Sequence, residues 1–184
     1  MDSGNIGFVL LCAAFVFVMT PGLAMFYGGL VRKKNVVNTM MTSIFIIGVG
    51  IVMWVLFGYS LSFAPSGNAF IGDFRWLGLE GVSLTEGYTD DASIPNMVFS
   101  AFQMMFAVIT PALITGAVAG RMKFKSIFVF TIFWSLIVYY PLAHMVWGQG
   151  GLLGADGIGA LDFAGGDVVH ISSGVSALVL CILL

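Results

Sequence analysis

Five apolar stretches, each long enough to cross a bilayer, leave this chain few folds to choose from. They cover residues 6–30, 37–63, 96–120, 126–145 and 166–184. A hydrocarbon core takes a helix of ~20 apolar residues to span. Inside it every backbone N–H and C=O must be paired, which single segments achieve only as helices. The chain therefore reads as an all-α integral membrane protein with five transmembrane helices. Charge agrees: 9% of the 184 residues are charged, against roughly a quarter in a soluble domain. The 24 glycines suit helices whose backbones approach closely. The start, MDSGNIGFVLL, has neither a basic leader nor a clear cleavage site, so a retained first helix is expected.

The basic residues orient the bundle. Six of the seven Lys and Arg lie in two connections, Arg32, Lys33 and Lys34 in the first and Arg121, Lys123 and Lys125 in the third. The positive-inside rule puts these in the cytoplasm. The N-terminus, residues 64–95 and residues 148–160 are then outside. The 64–95 segment carries Asp73, Glu80, Glu86, Asp90 and Asp91 against Arg75. It reads as an ordinary solvated loop or as a surface that raises the local cation concentration. No basic tract is long enough to suggest nucleic acid. Cys12 and Cys181 fall on different helices and read as packing residues, with no disulfide expected. Pro21, Pro111 and Pro141 each remove a backbone hydrogen bond inside a helix, which suggests kinked or tilted helices around an interior path.

Within this frame, a few polar and aromatic residues could carry chemistry. His170 sits in ALDFAGGDVVHISSG (160–174), just ahead of an apolar run. An ionisable group at that depth is costly and marks a functional candidate. Gly166, Gly174 and Ala177 keep its helix face bare, which admits either a close helix or a narrow channel. A neutral imidazole offers one donor and one acceptor, enough to hold a small polar molecule and pass a proton; the alternative is a packing hydrogen bond. Asp162, eight residues earlier, reads as a cap for the last helix, a field on a cation, or both. Asp167 is expected to face water or the vestibule. Trp147 is either an interfacial belt residue or a cation–π platform. His144 reads as an interhelical hydrogen-bonding group. Phe99, Phe102 and Phe106 fall at i, i+3 and i+7, so they are expected to share one face, as core, as lipid contact or as a hydrophobic gate. Gln103, Ser100 and Ala101 sit beside that stripe. An intramembrane enzyme using His170 and Asp162 would need a nucleophile motif or a metal-ligand cluster, and no segment supplies one.

Four segments in order, TPGLAMFYGGLVRKKNVVN (20–38), FQMMFAVIT (102–110), AHMVWGQGGLL (143–153) and ALDFAGGDVVHISSG (160–174), resemble the ammonium transporter (Amt/Mep/Rh) family, in its bacterial or archaeal Amt branch. The resemblance implies about eleven helices in two inverted repeats of five plus a last helix. This chain corresponds to the first repeat, residues 1–184, with the N-terminus outside. It implies a multi-pass protein of the cell membrane that recruits NH4+, deprotonates it and conducts NH3 past pore histidines, with methylammonium as an analogue. By the same resemblance Trp147 matches the extracellular cation–π residue, with Phe102 beside it. Phe106 matches the outer gate phenylalanine, His170 the first pore histidine, and Asp162 the aspartate that supports recruitment. A homotrimer and a PII signal protein on the cytoplasmic face are implied partners, and no cofactor is. The second histidine, the inner gate phenylalanine and the recruitment-site serine belong to the second repeat. A sensor of the same fold, or a fragment that does not conduct alone, are the alternatives. Asp167 departs from the family pattern, where that position is uncharged.

Overall fold

In a computed structural model that describes residues 1–65, 68–155 and 157–184, the chain forms five membrane-length helices. They are α1 Ser3–Leu30, α2 Lys33–Phe63, α3 Asn96–Val118, α4 Phe124–Trp147 and α5 Gly166–Leu183. Local chemistry sets several of their ends. The Asp2 carboxylate accepts from the Asn5 backbone N–H at 2.8 Å and caps α1. The chain turns extended at Val31 and re-enters through a tight turn, Lys33–Asn35, at the base of α2. Pro95, extended, stands just before α3, where its missing N–H costs nothing. Gly120, at φ +74°, ends α3 in a left-handed conformation that favours glycine.

Three stretches widen into π geometry, Trp54–Gly58 in α2, Ser135–Tyr139 in α4 and Gly166–Ile171 in α5. The α4 stretch ends two residues before Pro141, which has no N–H to offer the preceding turn.

The central helix is α3. Around it α1 packs on α2, α2 on α4, and α5 returns to α3, so the order is α1, α2, α4, α5. Among the described residues no comparable contact joins α5 back to α1. Those two helices are also the least buried of the five, which leaves the bundle open along the flank between them.

Because lipid tails are as apolar as leucine, close approach and hydrogen bonds hold such helices together. A Cβ on Gly116 would stand 2.6 Å from the Tyr27 ring, so α1 and α3 meet where only glycine fits. The Tyr27 hydroxyl donates to the Leu113 carbonyl across the same contact at 2.9 Å. The buried hydroxyls of Ser43 and Thr115 pair at 3.0 Å between α2 and α3. The Trp54 indole N–H reaches the Ser100 carbonyl at 3.2 Å, and the Tyr59 hydroxyl donates to the Asn96 side chain. Trp134 on α4 donates to Ser176 on α5 at 2.8 Å.

The connections sort by charge. Leu30, Val31, Arg32, Lys34 and Asn35 line one depression together with Ala119 and Gly120, so the two basic loops share an end of the bundle. At the other end the Asp2 N–H donates to the Ser93 carbonyl at 2.8 Å, and Gln149 bonds to Tyr88. The N-terminus, the acidic 64–95 connection and the start of the glycine-rich loop after α4 therefore lie together. The ion pair found among the described residues, Arg75 to Asp73 at 2.8 Å, is also there. The Arg75 guanidinium holds the Asp73 carboxyl below its usual range.

Candidate functional site

At the acidic end, α3, α4 and the segment before α5 enclose a cavity of about 270 Å3. Its lining includes Phe102, Gln103, Phe106, Trp147, Asp162 and Phe163. Each side chain arrives from a different constraint. Phe102 and Phe106 are one turn apart on α3, and their rings meet edge to face at 5.1 Å. Phe106 in turn meets Trp147 at 6.5 Å in the same manner.

Trp147 occupies the last turn of α4, and the loop after it is held from outside the bundle. The Gln149 backbone N–H donates to the Tyr88 hydroxyl at 3.0 Å, and its side-chain amide donates to the Tyr88 carbonyl at 2.9 Å. Tyr88 is itself stacked on Phe99 at 4.9 Å. Burial pushes the Tyr88 hydroxyl up to about 12, so it stays protonated at any physiological pH.

Asp162 is fixed by the start of α5. Gly165, at φ +78°, turns the chain into the helix. The Asp162 carboxylate then accepts three backbone N–H groups, from Gly166 at 2.7 Å, Asp167 at 2.9 Å and Val168 at 3.0 Å. These are the free donors every helix start leaves over. One carboxylate takes three of them and remains at the cavity wall, so the cap and the wall are one residue.

The cavity thus presents ring faces, one carboxylate and one amide, with no basic side chain among the described residues that line it. Aromatic faces carry negative quadrupole density. The set suits a small monovalent cation. Gln103 adds a polar group whose Oε1 is buried without a hydrogen-bond partner among the described residues.

The expected Phe99–Phe102–Phe106 stripe divides. Phe99 turns away into the aromatic core, where it packs edge-on against Phe63 at 5.1 Å as well as on Tyr88. Three and four residues span 300° and 400° of an α-helix, so i and i+7 align while i+3 lies some 60° away. Neighbouring rings then choose which position leaves the face. Tyr88 was not singled out from sequence. Its only local signal is an aromatic ring in the polar run GYTDD.

His170 does not line this cavity. The wide turn Gly166–Ile171 points Val168 and Val169 inward, both buried, and leaves the His170 ring exposed. The open flank runs along its helix. A Cβ added at Gly166 or Gly174 would meet nothing within 4 Å, so the bare face faces open space rather than a close helix of this chain. His144 differs fully. It is buried, and its ring nitrogens lie 3.2 Å from the Ser62 carbonyl and 2.8 Å from the Asn68 carbonyl, tying α4 to the end of α2.

A family model described as Ammonium Transporter Family matches residues 7–184. An ammonium transporter of Bacillus subtilis is 53% identical over 184 residues, covering all of this chain and 44% of that protein. The structure of Mep2 from Saccharomyces cerevisiae superposes with a TM-score of 0.89 at 36% identity, over all of this chain and 43% of that one. A sensor Amt protein superposes at 0.82 with 27% identity, over 97% of this chain and 44% of its own. The chain thus spans less than half the length of these relatives.

Proposed function

The chain belongs to the Ammonium Transporter Family, and from that premise we infer that the protein it represents moves ammonium across a membrane. Phe102, Trp147 and Asp162 form the capture site at the acidic end, Phe106 gates it, and His170 takes part in conduction beyond the gate. The work is transport rather than catalysis of a covalent reaction. One observation carries the reading: four residues from three segments, up to sixty positions apart, surround a single cavity that suits a small cation.

The chemistry then runs in order. NH4+ in hydrocarbon is strongly disfavoured because a charge leaves water, whereas NH3 is neutral and small. Trp147 and Phe102 replace part of the ion's hydration by cation–π contact. The Asp162 carboxylate, held by three N–H groups at the cavity wall, adds a fixed negative field. The Phe102–Phe106 pair closes the inner side, so a neutral molecule passes more readily than an ion. His170 offers one donor and one acceptor to NH3 and can hold a proton. Potassium, with no proton to release, would stop at the gate.

The exposed His170 ring and the open flank between α1 and α5 are the surface on which the remainder of a full-length protein would complete the conduction path. A homotrimer in the cell membrane, N-terminus outside, and a PII signal protein at the basic end belong to the same proposal. A sensor is the second reading, favoured by the superposition on the sensor Amt protein. Uptake of radiolabelled methylammonium by liposomes holding the full-length protein tests transport against sensing. The expected result is saturable uptake that His170→Ala cuts about a hundredfold. No uptake by the wild type, with ammonium binding retained, would replace the transporter by a sensor.

A further inference from the structure

Two side chains with hydrogen-bonding oxygens line the outer cavity, Asp162 and Gln103, and the fold treats them differently. A carboxylate offers about four acceptor sites. At Asp162 three bonds already come from the backbone N–H groups of Gly166, Asp167 and Val168. Gln103 is half-buried, and its Oε1 is buried with no hydrogen-bond partner among the described residues. A buried acceptor left unpaired is costly. One kept beside a cavity gains its partner when a donor enters.

The helix register sets the amide beside the rings. Gln103 follows Phe102 and precedes Phe106 by three positions on α3, some 60° around the helix from it. All three residues line the cavity. The last torsion of a glutamine side chain is soft, so its oxygen turns toward an entering donor at little cost. Ring faces attract any small cation and offer no lone pair. An ion that carries N–H groups differs from one that does not in needing acceptors along fixed lines.

We propose that the Gln103 amide oxygen accepts an N–H of the captured cation. It thereby tunes the cavity to ions with N–H donors, ammonium and primary alkylammonium, over ions of equal charge that have none. This rests on the reading of the cavity as the capture site. The rings supply attraction, the Asp162 field favours positive charge, and Gln103 adds a directed bond. A neutral amide adds that bond without a second negative charge.

Calorimetric binding of methylammonium to the full-length protein in nanodiscs tests the two readings separately. No binding by wild type, or binding unchanged in Trp147→Leu, would overturn the capture site and Gln103 with it. Where Trp147→Leu weakens binding, the capture site stands and the Gln103 variants decide. Gln103→Met, close in length but lacking the acceptor, should weaken methylammonium about tenfold, the low end for a hydrogen bond to a charged group. Gln103→Glu keeps an acceptor oxygen and should bind at least as tightly as wild type. Tetramethylammonium, with no N–H, should behave alike toward wild type and Gln103→Met. The melting temperature of Gln103→Met should not fall, because the change removes an unpaired buried oxygen. Methylammonium binding unchanged in Gln103→Met, lost equally in Gln103→Glu, or lost in parallel with tetramethylammonium would reduce Gln103 to a wall of the cavity. A lower melting temperature for Gln103→Met would show the oxygen paired within the full-length fold and would equally overturn the assignment.

Discussion

The cavity wall at Asp162 and the ring of His170 lie eight residues apart, on either side of the start of α5, yet they are supported in opposite ways. Around the cavity this chain supplies nearly everything: Asp162 saturated by three N–H groups, Trp147 braced through Gln149 and Tyr88, two phenylalanines one turn apart. At His170 it supplies only the helix. The ring is exposed, its neighbours Gly166 and Gly174 face open space, and among the described residues no helix packs on that side. On the proposed function, the difference assigns capture to a site preorganised within this chain and conduction to a site that needs a second wall.

The largest expected effect breaks the comparison at its weaker member. In the full-length protein, His170→Ala should cut methylammonium uptake by about a hundredfold, the low end of what a positioned proton-handling group contributes. Its melting temperature should stay unchanged, because the ring is exposed and makes no hydrogen bond among the described residues. A clear drop in melting temperature would show His170 to be a packing residue for the second wall.

Asp162→Ala comes next and attacks the stronger member. Removing the carboxylate strands three N–H groups at the start of α5, and about 2 kcal/mol of stability should go with it. Uptake should fall together with melting temperature. Asp162→Asn keeps one acceptor oxygen and should recover part of the stability but less of the uptake, since the charge is gone. Full recovery of uptake by Asn would confine Asp162 to capping.

Trp147→Leu should separate capture from fold. The loss of a partly desolvated cation–π contact corresponds to about a tenfold higher KM, with kcat and melting temperature little changed. An unchanged KM would return Trp147 to the role of a belt residue.

Much of this architecture was legible in the sequence, because its rules are the bilayer's. Apolar length located five helices, and the basic residues sorted their connections into two ends, as Asp2–Ser93 and Tyr88–Gln149 contacts now place them. The cap on α5 was readable from Asp162 standing before a glycine-led helix. What stayed hidden depends on packing between distant segments. Periodicity put Phe99 with Phe102 and Phe106, but Tyr88 and Phe63, from elsewhere in the chain, draw it into the core. The π turns at Trp54–Gly58 and Gly166–Ile171 have no sequence signature of their own. The one at Gly166–Ile171 decides that Val168 and Val169, not His170, face inward.

Tyr88 carries the smallest effect and sharpens the comparison most finely, because it touches no proposed ligand. Its hydroxyl accepts from the Gln149 backbone at the loop that follows Trp147. Tyr88→Phe keeps the stack on Phe99 and deletes one hydrogen bond, worth about 1 kcal/mol. A KM rise of about twofold is expected if part of that loss reaches the Trp147 ring. The alkaline range gives a second handle. An unfolded tyrosine ionises near its ordinary value of 10, while the folded hydroxyl is held up to about 12. The hold is therefore complete below pH ~10 and is lost as pH rises toward ~12, because only the unfolded loop releases the proton there. Limited proteolysis of residues 64–95 should accelerate across that window in the wild type and less so in Tyr88→Phe. Identical acceleration in both would mean that Tyr88 does not hold the loop, and the bracing of Trp147 would have to come from the 148–151 turn itself.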